Sequence, residues 1–289
     1  MQAAAALRDS LAAELRDPEG RYAAAVWGAV TAANEGRFDD AEEKARAARR
    51  MRDISGPSQG SGSFAAFLTQ LRFLQGRLAE LLPAQEELAR SSPGGASLLR
   101  TARLMMYVAS GRRDDAAALL DDLVSAGLDR IERGFDWWAE MLAISGASIA
   151  LGHRRAASLV YDELLPYEER NGVLGQSAFL GAVAHHLGDL AIALERWDAA
   201  VEHLERGLEQ HRAMGARAYV ALSEEACARA LLGRDQPGDR GAAVDLATRA
   251  AATARELGMI GLEPQAVAIL ARAGVASVPS YPRGTPPPC

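Results

Sequence analysis

The feature that most constrains this chain is a short punctuation that returns six times: a Gly or Glu, then an Arg or other polar residue, then a small residue opening an apolar-periodic run. It reads GRFDDA at 36–41, GRLAEL at 76–81, GRRDDA at 111–116, GHRRAA at 152–157, ERWDAA at 195–200 and GDRGAA at 238–243. Successive starts lie 40, 35, 41, 43 and 43 residues apart, the spacing of helical-hairpin repeats. Gly ends one helix, and the acidic or small residues after it favour the N-terminus of the next. A single hairpin cannot bury its own apolar face, so neighbours must stack. The expected fold is all-α, a right-handed α-solenoid of about six degenerate hairpins.

Strand signals are nearly absent. Ala, Leu, Arg and Glu dominate the long segments, and no period-two alternation is sustained. The irregular stretches at 55–63, 91–95 and 234–240 read as loops between helices. The expected organisation is an N-terminal amphipathic helix at 1–20, the solenoid at 21–275 and a disordered Pro-rich tail at 276–289. A hydrophobic content of 49% is ample for one continuous core.

A net charge of −6 argues against nucleic acid and anionic lipid as partners, because both require a clustered basic face. The basic residues are Arg except for Lys44, and Ala is abundant, which points to a GC-rich bacterial source. The two cysteines, Cys227 and Cys289, make neither a disulfide framework nor a metal quartet. No apolar run is long enough to span a membrane, and the opening residues lack the pattern of a signal peptide. A cytoplasmic location is expected.

The most regular repeat, at 181–215, carries Leu187-Gly188 in its first helix and Ala200, Leu204 and Gly207 in its second. In these positions it resembles the tetratricopeptide consensus, although the consensus aromatic and closing Pro are missing. Residues 164–259 further resemble the C-terminal helical region of large bacterial ATP-binding regulators of the LuxR and cyclase-associated type. The chain contains no GxxxxGK[ST] phosphate loop and no evident helix-turn-helix. The resemblance therefore implies the sensor or scaffold part alone, in signal transduction or transcription regulation.

Catalytic signatures such as a GxSxG elbow, a Cys-His arrangement or a dinucleotide fingerprint are not found in context, so a non-enzyme without a cofactor is expected. His185 and His186 are adjacent and point about 100° apart on a helix, which defeats an i, i+4 metal chelate. The first helices of such hairpins line the concave face where ligands are generally held. Aligning the last two repeats places His185 and Asp189 beside Glu225 and Arg229 on that face, either as a polar recognition patch or as a solvated charge ladder. Trp137 and Trp138 cannot both face one core, which makes Trp137 a candidate binding platform or a plug between repeats. Trp197, at a hairpin turn, is expected to pack on its own repeat.

Two functions compete, ahead of a third, an unusual enzyme on a helical-repeat frame that would need convergent ionisable groups in a closed pocket. One is a regulatory scaffold that holds a protein or peptide segment in its groove. The other is a small-molecule sensor whose effector alters the curvature of the array and so an output module.

Overall fold

The computed structural model describes residues 18–55, 60–91 and 97–275. The expected Pro-rich tail and most of the expected N-terminal helix lie outside them. The boundary expected at residues 20 and 21 falls inside one continuous helix.

The helices are α1 (Pro18–Asn34), α2 (Phe38–Ser55), α3 (Gly60–Gln75), α4 (Leu82–Ser91), α5 (Ser97–Ala109), α6 (Arg113–Ala126), α7 (Trp137–Leu151) and α8 (Arg154–Leu164). After a two-stranded sheet come α9 (Val183–Ala193), α10 (Trp197–Ala213), α11 (Arg217–Arg234), α12 (Asp239–Leu257) and α13 (Leu262–Arg272). Among the described residues the architecture is all-helical apart from that sheet. Every second helix from α5 to α13 packs on the next, and each also packs on its sequence neighbour.

The repeated punctuation explains the turns. Its first residue has a left-handed φ at Gly36 (84°), Gly76 (74°), Gly111 (71°), Gly152 (72°), Glu195 (61°) and Gly238 (94°). That conformation lets the next N–H reach back to close the helix end. Arg37, Arg112, His153 and Arg196 donate to the carbonyls of Ala32, Tyr107, Ser148 and Ala191 at 2.8, 3.0, 2.8 and 2.9 Å. Acidic residues then sit in the first turn of the following helix, as Asp114 and Asp115 do in α6, against its positive end. The small residue that closes the motif is fully buried at Ala41, Ala116, Ala157, Ala200 and Ala243. The last turn spreads over Asp235, also left-handed, and Gly238. The second opens a short 3-10 segment, Leu78–Leu81, that runs into α4.

Between α9 and α10 the backbones approach until a side chain would not fit. A Cβ on Gly188 would lie 2.3 Å from Leu204, and one on Gly207 would lie 2.7 Å from the His185 nitrogen. Trp197 reaches beyond its own hairpin: its ring covers Gly233 on α11, in the following pair.

The sheet is the main departure from the sequence reading. Strands β1 (Asn171–Leu174) and β2 (Ala178–Ala182) pair antiparallel, with an irregularity between Gly172 and Val173. The start of the most regular repeat is therefore strand, and its first helix begins at Val183. A five-residue apolar run fits either state by periodicity, and here its place against α3 and α10 decides.

The two ends of the array also meet. Ala29, Val30, Phe67 and Leu71 of α1 and α3 share one apolar core with Phe179, Tyr219, Ala254 and Met259. Ile260 N–H donates to the Gln75 carbonyl at 3.2 Å.

Candidate functional site

A chain of hydrogen bonds runs through the C-terminal half, and its polarity follows from a single backbone group. The Ala182 N–H at the end of β2 donates to His211 Nε2 at 2.8 Å. With Nε2 accepting, the neutral His211 ring carries its proton on Nδ1 and donates to Ser223 Oγ at 2.9 Å. The Ser223 hydroxyl then donates to His185 Nδ1 at 3.1 Å. That leaves the His185 proton on Nε2, which faces Asp189 at 3.5 Å.

The outer end of the chain is ionic. Arg229 donates to Asp189 at 2.8 Å and to Glu225 at 3.3 Å. Arg229 keeps 29% of its side-chain surface, whereas Ser223 has none. The chain thus leads from the interior to a partly exposed guanidinium.

Burial fixes the charge states. It lowers His185, and it lowers His186, whose Nε2 donates to the Leu180 carbonyl at 2.8 Å, to about 4. His211 is pushed down to about 2 by burial and by the two neighbouring histidines. Burial also raises Glu225. Asp189 is held below the ordinary range although burial opposes it, because Arg229 and the histidines stabilise its charge. Cys227 is pushed up to about 12, chiefly by burial, so its thiol is inert.

The order Ser223, His185, Asp189 has the connectivity of a nucleophile, base and acid. Three features argue against that use in this conformation. Ser223 Oγ is inaccessible, it accepts a hydrogen bond from His211, and Asp189 is nearer to Arg229 than to His185.

The structure brings together four of the five residues singled out from the sequence. His185, Asp189, Glu225 and Arg229 form one connected cluster on α9 and α11, with His185 and Glu225 buried rather than lining a solvated ladder. Trp137 does not join them. It is 5% exposed and packs edge-on to Trp138 and Tyr167 at centroid distances of 4.8 and 5.4 Å, beneath the Arg133 guanidinium. Arg133 also donates to the Tyr167 hydroxyl at 2.6 Å and to Glu163 at 2.7 Å. The platform is already filled by a cation of the chain itself, and Trp137 plugs the core between α7 and the turn after α8.

Sequence reasoning missed His211 and Ser223. A signal for His211 was present, because it continues the buried stripe Ala200, Leu204, Gly207 at helical spacing. A second buried pair was also missed: the Tyr161 hydroxyl meets His203 Nε2 at 2.8 Å, and His203 Nδ1 meets Glu168.

Among the described residues no group of three His, Cys, Asp or Glu side chains is placed to hold a metal ion. No helix among them is long and apolar enough to cross a membrane. Compared with known proteins, the chain matches no family model, and no curated protein matches it significantly.

Proposed function

We propose that this chain is a non-enzymatic regulatory scaffold, an α-solenoid of about six tetratricopeptide-like hairpins that binds a segment of a protein partner on the face formed by α9 and α11. The observation that carries this reading is the bridge from Asp189 to Arg229, which joins neighbouring first helices at the mouth of the buried chain. It leaves Arg229 and Asp189 partly exposed beside the buried Glu225, where charged hydrogen bonds to a peptide would be strong. Packing of every second helix on the next supports the solenoid reading. The resemblance to bacterial regulators supports a place in signalling or transcription control, in the cytoplasm.

The test is affinity purification from the host lysate with the wild type and with Asp189→Ala/Arg229→Ala. Removing both avoids leaving Asp189 or Arg229 unpaired, and Glu225, which burial already favours in its neutral form, can take up a proton once Arg229 is gone. Melting should be little changed, and a polypeptide held by the wild type should be retained about tenfold less. Equal retention would move the site elsewhere. A small molecule released only on denaturation, seen by native mass spectrometry, would favour a sensor of the same fold.

A further inference from the structure

The contact between the two ends of the array joins α1 and α3 to elements more than 100 residues away in sequence. It is apolar and close, with one polar hub. Gln70 Nε2 donates to Asn34 Oδ1 at 3.0 Å and to the Tyr219 hydroxyl at 3.4 Å, and Gln70 Oε1 accepts from the Phe179 N–H at 3.2 Å. The Tyr219 hydroxyl in turn donates to the Phe179 carbonyl. At its edge the Leu257 side chain fills the space over Gly36, and Gly76 lies against the backbone of Gly261. Helical arrays are held mainly by nearest neighbours. A contact between first and last members can therefore open while the pairs stay folded.

One large apolar side chain is left exposed where this seam reaches the surface. Ile260, in the turn that meets Gly76, is 62% exposed. It offers an incoming helix a first foothold.

We infer that α1 and α3 occupy in cis a surface on β2, α11 and the α12–α13 turn that takes an amphipathic helix from a partner, which displaces them. The inference rests on the reading that this chain binds a protein segment. It adds a second surface and the kind of segment that fits it: a helix with a small and apolar face and an amide at the position of Gln70, which would satisfy Phe179 and Tyr219. The occupant seen in place is itself the argument for that chemistry, because α3 presents Phe67, Gln70, Leu71 and Leu74 at helical spacing along one face. While the seam is closed, an outside helix binds only to the open fraction, and its apparent affinity falls by that fraction.

The test uses the full chain with Cys289→Ser and a fluorescein-labelled peptide of residues 60–77 as the probe. In the opened variant, Gly76→Val places a branched side chain at a left-handed position against Gly261, and Gln70→Leu removes the hub. In the locked variant, Gly36→Cys and Leu257→Cys form a disulfide across the seam; the Leu257 Cγ lies 2.9 Å from where a Cβ at Gly36 would stand. Amide exchange should show α1 and α3 losing protection in the opened variant while α9 to α13 keep theirs. By fluorescence anisotropy the opened variant should bind the peptide about tenfold or more tightly than the wild type. The oxidised locked variant should not bind it, and reduction should restore wild-type affinity. Peptide affinity equal to wild type in an opened variant of that exchange pattern overturns the inference. So does loss of protection throughout α9 to α13, which would make the seam part of the core. Either failure leaves the Asp189 and Arg229 test untouched, because that test reads capture of a partner by a different surface.

Discussion

The pairs α1–α2 and α9–α10 are joined by the same kind of turn, each with one left-handed residue (Gly36 and Glu195) and the same reach-back hydrogen bond, yet they are held differently. Between α1 and α2 the buried contacts are largely alanine, as at Ala29, Ala32, Ala33, Ala41 and Ala45. Between α9 and α10 they include Leu187, Leu190, Leu204 and Leu208, and two histidines, His185 and His211, tie the pair into a hydrogen-bond chain. Chain geometry is repeated along the molecule, while side-chain volume and buried polarity are concentrated toward its C-terminal part. The turn sets the spacing of helices, and what fills the space between them sets how tightly a pair is fixed.

The largest test of this contrast is one substitution made at two equivalent sites. Ala200→Glu forces a carboxylate against Gly188 and Leu204 and should cost about 4 kcal/mol or more. Ala41→Glu should cost less, about 2 kcal/mol, because α1 and α2 can open locally and let the charge reach water. Urea unfolding of both variants measures the difference, and equal losses would erase the distinction.

A smaller effect is expected from acid. All five histidines lie at or beyond residue 153, so protonation acts on one part of the molecule. His185, His186 and His211 have folded pKa values below the ordinary 6.5, so the unfolded chain binds protons that the folded chain refuses. Their contribution is complete above pH 6.5 and is lost as pH falls, for His186 down to about 4. Each contributes a slope of up to about 1.4 kcal/mol per pH unit. Among the groups that face them, Asp189 adds to acid sensitivity nearer its own titration, whereas Glu225, raised by burial, works against it; Arg229 stays charged. Amide exchange at pH 7 and pH 5 should show protection falling in α9 to α11 before α1 and α2. The reverse order would contradict the neutral assignment of the chain.

The smallest effects concern the turn itself. Gly152 has open space around its missing Cβ, so Gly152→Ala tests backbone strain alone and should cost about 1 kcal/mol. Glu195→Gly should do the opposite, stabilising by about 0.5–1 kcal/mol through relief of a left-handed non-glycine residue, less the small loss of an exposed pair with Arg154. Thermal melts of the two variants should move in opposite directions.

The turns were legible in the sequence for the reason these two variants exploit. A left-handed position selects a residue type directly, so Gly36, Gly111 and Gly152 announce themselves without any tertiary information. The pairing of Asp189 with Arg229 was legible through repeat spacing, since aligned hairpins bring equivalent faces together. Trp137 stayed open between platform and plug because adjacency to Trp138 says that two directions are needed and not which ring goes inward. The β1–β2 hairpin escaped because Ala178 to Leu180 reads equally well as the start of a buried helix. Contact between Gln70 and Tyr219, 149 residues apart, has no local signature at all.

The hydrogen-bond chain has a further property, inherited from its innermost member. Side-chain hydroxyls and imidazoles can exchange the roles of giver and receiver, but the Ala182 amide has only one role. Its proton obliges His211 to point its own toward Ser223, and the obligation passes outward through His185 to Asp189. The row therefore has a fixed sense of direction, written by a peptide bond in β2 and expressed three side chains away. Two neutral histidines that might each have held either of two tautomers are thereby reduced to one arrangement, and Asp189 always faces a donor.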